Sequence, residues 1–170
     1  MKNLLILENN KGEDEIYHRV TLETIRAALE QKGVVLTPES YEKDTYDSPD
    51  DVIYSSSTPF HGWNICLRTV YIPPEYGTDY FKRKLTQIIN AHKPNCILFH
   101  LGLYVRRSTY SDYPVIKVML RYAEEIDVIV YTGNMNDRES LVSDTNGRIG
   151  YFFNNRSIEK QIDFLMNLLY

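Results

Sequence analysis

Short, unbroken apolar runs alternate in this chain with longer segments of helical periodicity, and that alternation is its strongest constraint. Leu4–Leu7 is such a run, ended by Glu8-Asn9-Asn10. A strand buried on both faces reads this way, because neither face can alternate with polar residues. Between residues 13 and 31 the period changes. Ile16, Val20, Leu22, Ile25 and Leu29 form a helical stripe, with the pairs Glu15/Arg19 and Arg26/Glu30 on the wet side. Gly33 stops that helix, and Val34–Thr37 reads as a second strand closed by Pro38. Thr78 is expected to cap a helix running to about His92, with Phe81, Leu85, Ile88 and Ile89 inward and Pro94 as its stop. Ile97–Phe99 is a third strand, Pro114–Glu125 a helix with a first-turn proline, and Val128–Tyr131 a fourth strand. A weak helix over 137–143, a fifth strand at Ile149–Phe153 and a last helix capped by Ser157 complete the chain. Strands alternating with helices predict an α/β fold: a parallel sheet, doubly wound by right-handed crossovers, with helices on both faces.

Residues 39–77 break the rhythm. Asp47-Ser48-Pro49-Asp50-Asp51, Ser55-Ser56-Ser57-Thr58-Pro59 and Pro73-Pro74 punctuate them. Between these marks Trp63, Ile65, Leu67, Thr69 and Tyr71 alternate with polar positions, which predicts a half-exposed strand paired with Val52–Tyr54. A segment this short cannot build its own core. We therefore expect a β-rich insertion at 39–77 within one domain spanning 1–170.

Charge and cysteine usage narrow the function classes. Lys plus Arg number 19 against 23 Asp plus Glu, for a net charge of −4. Binding to nucleic acid through phosphates wants a basic face, so no nucleic-acid partner is expected. The runs Lys82-Arg83-Lys84 and Arg106-Arg107 read as solvated surface. Cys66 and Cys96 form no CxxC pattern, there are no paired histidines at metal spacing, and neither a metal site nor a cofactor is expected. No apolar stretch approaches the ~20 residues of a membrane span, and the opening run is too short for a signal peptide. The expected location is cytoplasmic. No GxGxxG, P-loop, GxSxG or HExxH motif occurs.

In doubly wound sheets, ligands meet the residues just past the carboxyl ends of the strands. Here those residues are Glu8, Asn9, Thr37, His100, Thr132 and Asn154. Leu4-Leu5-Ile6-Leu7-Glu8-Asn9 is similar to the first strand and acidic corner of a two-component receiver domain. Pro94-Asn95-Cys96-Ile97-Leu98-Phe99-His100-Leu101-Gly102-Leu103 resembles the receiver's third strand, written P-D-x-h-h-h-D-h-x-h. Asp127 to Gly133 resembles the fourth strand with its hydroxyl residue, and Gly150 to Asn155 the fifth, written G-Y-h-h-K-P. The resemblance leaves out residues 39–77. It implies a flavodoxin-like, five-stranded parallel sheet of order 2-1-3-4-5.

The departures from that family carry the functional expectation. The phosphoacceptor aspartate would stand at His100, the magnesium-binding acid at Asn9, the lysine at Asn154 and the proline after it at Asn155. Glu8 keeps an acid, Thr132 keeps the hydroxyl, and Tyr151 occupies the aromatic switch position. Magnesium prefers carboxylate oxygens, and an aspartyl phosphate needs a carboxylate nucleophile with positive charge to balance the phosphoryl group. The resemblance thus implies a pseudo-receiver: a stand-alone regulatory, signalling module that has lost the aspartate switch and acts by protein–protein or small-ligand binding. Its crevice is expected to comprise Glu8, Asn9, His100, Thr132, Gly133 and Asn154. Its partner face would comprise Tyr151, Phe153 and Ile158, which also offer a homodimer through the last helix and fifth strand. The alternative is a small doubly wound hydrolase or transferase acting on a nucleotide or phosphate ester, with His100 and Glu8 as acid–base groups. Glu8 and His100 lie at the ends of neighbouring central strands in either reading. His61 and Trp63 are expected to form a satellite hydrophobic cluster.

Overall fold

A computed structural model describes residues 1–9, 23, 25–42, 51–70, 76–100, 113–132, 137–153 and 158–170. Among the described residues seven strands form one sheet: β1 (Lys2–Asn9), β2 (Leu36–Glu39), β3 (Ile53–Ser56), β4 (Trp63–Val70), β5 (Cys96–His100), β6 (Asp127–Thr132) and β7 (Gly150–Phe153). The helices are α1 (25–31), α2 (Gly77–His92), α3 (Pro114–Tyr122), α4 (Asp137–Asp144) and α5 (Ile158–Leu169). Among the described residues no helix is long and apolar enough to cross a membrane.

The mixed α/β class is as expected, but strand count and order are not. The sheet runs β2-β3-β4-β1-β5-β6-β7. β4, β1, β5, β6 and β7 are mutually parallel neighbours, whereas β3 is antiparallel to both β4 and β2. The expected second strand, at Val34–Thr37, is not beside β1. That place belongs to β4, from within 39–77, whose Trp63–Val70 pairs residue for residue with Lys2–Asn9. The physical reason lies in the burial of β4: Trp63, Ile65, Leu67, Thr69 and Val70 are all buried. β2 is displaced to the sheet edge and includes Pro38, a position where a missing N–H is tolerated.

Side-chain parity along β1 explains how a continuous apolar run is buried on both sides. Leu5 and Leu7 pack with Phe81, Leu85 and Ile89 of α2 and with Val115, Ile116 and Met119 of α3. Leu4 and Ile6 pack on the other face with Ile25, Ala28 and Leu29 of α1 and Leu165 and Leu169 of α5. α2 buries the four residues its periodicity selects, Phe81, Leu85, Ile88 and Ile89. Its N-cap is Tyr76 with no side-chain cap bond, so Thr78 does not cap it. At its other end Lys93 turns left-handed with φ 45° ahead of Pro94.

The loop before β4 anchors the last helix. Trp63 Nε1 donates to the Leu169 carbonyl at 3.0 Å, and His61 Nε2 meets the Tyr170 hydroxyl at 3.1 Å. His61 and Trp63 therefore belong to a structural cluster with Phe60 and α5.

Candidate functional site

The register brings three polar side chains into one rank at the carboxyl edge of the central strands. Leu7 of β1 lies across from Phe99 of β5, so Glu8 and His100 follow as the next residues on adjacent strands. His100 lies directly across from Tyr131 of β6. Parity puts all three on the α1/α5 face: Leu4, Ile6 and Glu8 alternate along β1, Cys96, Leu98 and His100 along β5, and Ile129 and Tyr131 along β6.

Glu8 is 0% exposed. A buried carboxylate is tolerated only when charge partners and donors occupy its oxygens. The Tyr131 hydroxyl donates to Glu8 Oε2, and also lies 3.4 Å from the Leu7 carbonyl. His100 Nδ1 stands 3.5 Å from Oε1, with the imidazole 17% exposed. The His100 and Tyr131 rings meet at 5.2 Å between centroids. Burial, and then the neighbouring Glu8 carboxylate, push the Tyr131 hydroxyl well above its ordinary pKa, so it remains a proton donor throughout the neutral range. The cluster is thus a carboxylate held from one side by a phenol inside the core and from the other by an imidazole at the edge.

Next to it, across β1, Glu8 pairs in register with Thr69 of β4. Thr69 Oγ1 accepts from the Val52 N–H at 2.7 Å and donates to Asp51 Oδ1 at 3.4 Å. Asp51 is 5% and Thr69 2% exposed, so this pair fastens the segment preceding β3 to the end of β4.

Of the expected crevice, Glu8 and His100 meet. Asn9 and Thr132 are placed by their backbones at the ends of β1 and β6, with side chains outside the described residues. Gly133 and Asn154 lie outside the described residues altogether. Thr37 does not belong to the edge. It pairs with Ser55, Ser55 with Cys66 and Cys66 with Leu5, so it sits level with Leu5, well below Glu8, and its hydroxyl donates to the Ser55 carbonyl at 3.3 Å. The side chains of Tyr151, Phe153 and Ile158 are likewise outside the described residues. Tyr131 lies within a strand and not past its end, so only its sharing of Glu8's side of the sheet marks it as a site residue. Counting parity along Asp127–Thr132 would have found it.

The fold and this cluster define an α/β protein with a Glu–Tyr–His constellation at the carboxyl edge of a largely parallel sheet. No protein-family model matches the chain, and no curated protein matches it. Among solved structures, a futalosine hydrolase mutant of Helicobacter pylori shares 14% identity, covering 96% of this chain and 83% of that one, with a TM-score of 0.33. Helicobacter pylori MTAN shares 14% over the same shares of the two chains, also with a TM-score of 0.33. A mutant of Helicobacter pylori MTAN with 5'-methylthioadenosine in the active site shares 12%, covering 99% of this chain and 97% of that one, with a TM-score of 0.39. At these scores the likeness carries no argument about activity.

Proposed function

We propose that the chain is a receiver-like regulatory module that works by binding a protein partner or a small ligand and forms no aspartyl phosphate. The observation that carries this reading is the fully buried Glu8 carboxylate, engaged by Tyr131 and His100. Magnesium sheds water reluctantly and keeps several waters when bound. A carboxylate with no solvent-accessible surface, already taken by a phenol and an imidazole, is a poor first ligand for it. Position 100 offers an imidazole where an aspartyl phosphate needs a carboxylate, and Asn9 adds no charge. The test is incubation with acetyl phosphate and magnesium, followed by intact mass. The expected result is an unmodified chain. A stable adduct of one phosphoryl group mapping to residues 8–9 or 100 overturns the reading.

A second reading rests on the 3.5 Å approach of Glu8 Oε1 to His100 Nδ1. A carboxylate on Nδ1 fixes the imidazole's orientation and tautomer and leaves Nε2 as the nitrogen that can exchange a proton with a substrate. In that reading the chain is a hydrolase or transferase for a nucleotide or phosphate ester, with His100 as acid–base group and Glu8 as its positioning residue. A screen of nucleotides and phosphate esters separates the two. Turnover that falls at least about a hundredfold in His100→Gln supports the enzyme. Turnover indifferent to His100→Gln, or none, supports the binding module.

A further inference from the structure

On the face of the sheet opposite Glu8, a cavity of about 300 Å3 lies between the last turn of α2 and strands β3 and β4. Cys66, His92, Glu39 and Ser55 line it. Each arrives from a different element. Cys66 is on β4, in register with Ser55 of β3. Glu39 ends β2, and His92 is the last residue of α2. Cys66 Sγ stands 4.0 Å from His92 Nε2. Arg68, two residues along the same side of β4, has a buried Nε with no hydrogen-bond partner among the described residues and a guanidinium 5.2 Å over the Tyr41 ring.

We propose that this cavity binds a soft, thiophilic d10 metal ion, Cu(I) in preference to Zn(II), with Cys66 Sγ and His92 Nε2 as its two protein ligands. The geometry points to a low-coordinate ion. Zinc's bonds of about 2.3 Å to sulfur and 2.0–2.1 Å to nitrogen would span the observed 4.0 Å only at an angle of about 130°, wider than zinc's tetrahedron. Structural zinc wants four ligands in a tetrahedron, and among the described residues no three His, Cys, Asp or Glu side chains are placed to hold one ion. Thiolate and imidazole suit copper and zinc alike, so the choice between the two ions rests on coordination number. Charge points the same way. A Cys66 thiolate, the Glu39 carboxylate and the Arg68 guanidinium together carry one negative charge, which a monovalent ion neutralises. A divalent ion leaves a net positive charge in a half-buried site, at a desolvation cost.

Binding exchanges a proton for the metal. The Cys66 thiol gives up its proton to solvent as the sulfur–metal bond forms, and His92 donates its Nε2 lone pair while keeping a proton on Nδ1. Burial, aided by Glu39, pushes the thiol up to about 12 against the lowering effects of Arg68 and a Ser55 hydrogen bond. Burial and Arg68 lower His92 against Glu39, which favours the neutral, ligating imidazole.

The test is an anaerobic titration of the whole chain with Cu(I) buffered by a chromophoric chelator, beside a parallel Zn(II) titration. The expected result is one Cu(I) per chain, bound more tightly than Zn(II). Cys66→Ser and His92→Gln should each weaken binding beyond the about 10–100-fold that loss of an outer-shell group costs. Cys96→Ser, at a thiol buried within β5, should leave it unchanged. Because a variant can fail by unfolding, Ag(I) is also added to the unmodified chain while the His92 imidazole nitrogens are followed by NMR; Nε2, and not Nδ1, should shift. Absence of stoichiometric Cu(I), unchanged binding in Cys66→Ser, tighter Zn(II), or an unmoved His92 Nε2 each overturns the proposal.

Discussion

Replacing Tyr131 by Phe removes one oxygen from the core and nothing else. The phenol is 1% exposed and Glu8 0%, so no water can take the place of the lost donor without opening the sheet edge. A hydrogen bond to a charged group contributes about 1.5–3 kcal/mol, and a buried charge left short of a donor costs at the upper end of that range. We expect Tyr131→Phe to lose about 2–3 kcal/mol, which for a chain of this length lowers Tm by roughly 5–10 °C. Urea denaturation at pH 7, followed by circular dichroism, measures the difference, with the m-value checked for constancy. The charge is the cause, so the cost should depend on it. In a Glu8→Gln background the same substitution removes only a neutral hydrogen bond, about 0.5–1.5 kcal/mol. The double-mutant cycle should therefore return a coupling of about 1–2 kcal/mol. A Tyr131→Phe protein within about 0.5 kcal/mol of the parent, the scatter of an ordinary surface change, refutes the reasoning, as does a coupling near zero.

His100→Ala should cost less than Tyr131→Phe, about 1 kcal/mol, because the imidazole is 17% exposed and water can reach Oε1; equal or larger loss contradicts this. Alkaline stability follows from the raised groups. A group whose pKa is higher folded than unfolded contributes stability that is complete below its unfolded pKa and lost as pH rises through the folded one. Tyr131 is raised, and Cys66 and Cys96 are pushed up to about 12, so unfolding free energy should fall from about pH 9 upward. Tyr131→Phe should flatten that fall; an identical pH profile for parent and variant disproves the assignment. Trp63→Phe removes the indole bond to the Leu169 carbonyl and should cost about 1–3 kcal/mol, with the loss of amide protection in hydrogen exchange concentrated in α5. Lys93→Gly relieves a left-handed backbone, φ 45°, and should raise stability by up to about 1 kcal/mol; a loss of stability in thermal melts counts against it.

The parts of the fold that one strand's own composition decides were legible in the sequence. Leu4–Leu7 is apolar at every position, and only a strand covered on both faces uses all four. The buried stripe of α2 follows equally from 3.6-residue periodicity. The neighbour of β1 was not legible, because strand pairing is a contest between segments. Val34–Thr37 follows a helix, as a crossover strand should, but Trp63–Val70 is longer and brings buried Trp63, Ile65 and Leu67 to the α1/α5 face. That packing assigns β4 to the centre and β2 to the edge. The site divides the same way. Glu8 and His100 were visible as strand-end residues on adjacent strands. Tyr131 was hidden inside an apolar run, where a tyrosine looks like core until parity puts its hydroxyl on the carboxylate's side. The contact of Cys66 with His92 joins residues from a strand and a helix end, and no spacing in the chain announces it.

The central claim is that the carboxylate at the head of β1 is closed to magnesium and phosphoryl chemistry because Tyr131 and His100 already hold it. Titration of the labelled chain with magnesium and then beryllofluoride, read through the amide resonances of Glu8, His100 and Tyr131, tests this most directly. These resonances should stay where they are up to millimolar magnesium. A saturable shift of all three, completed only when beryllofluoride is added, would contradict the claim.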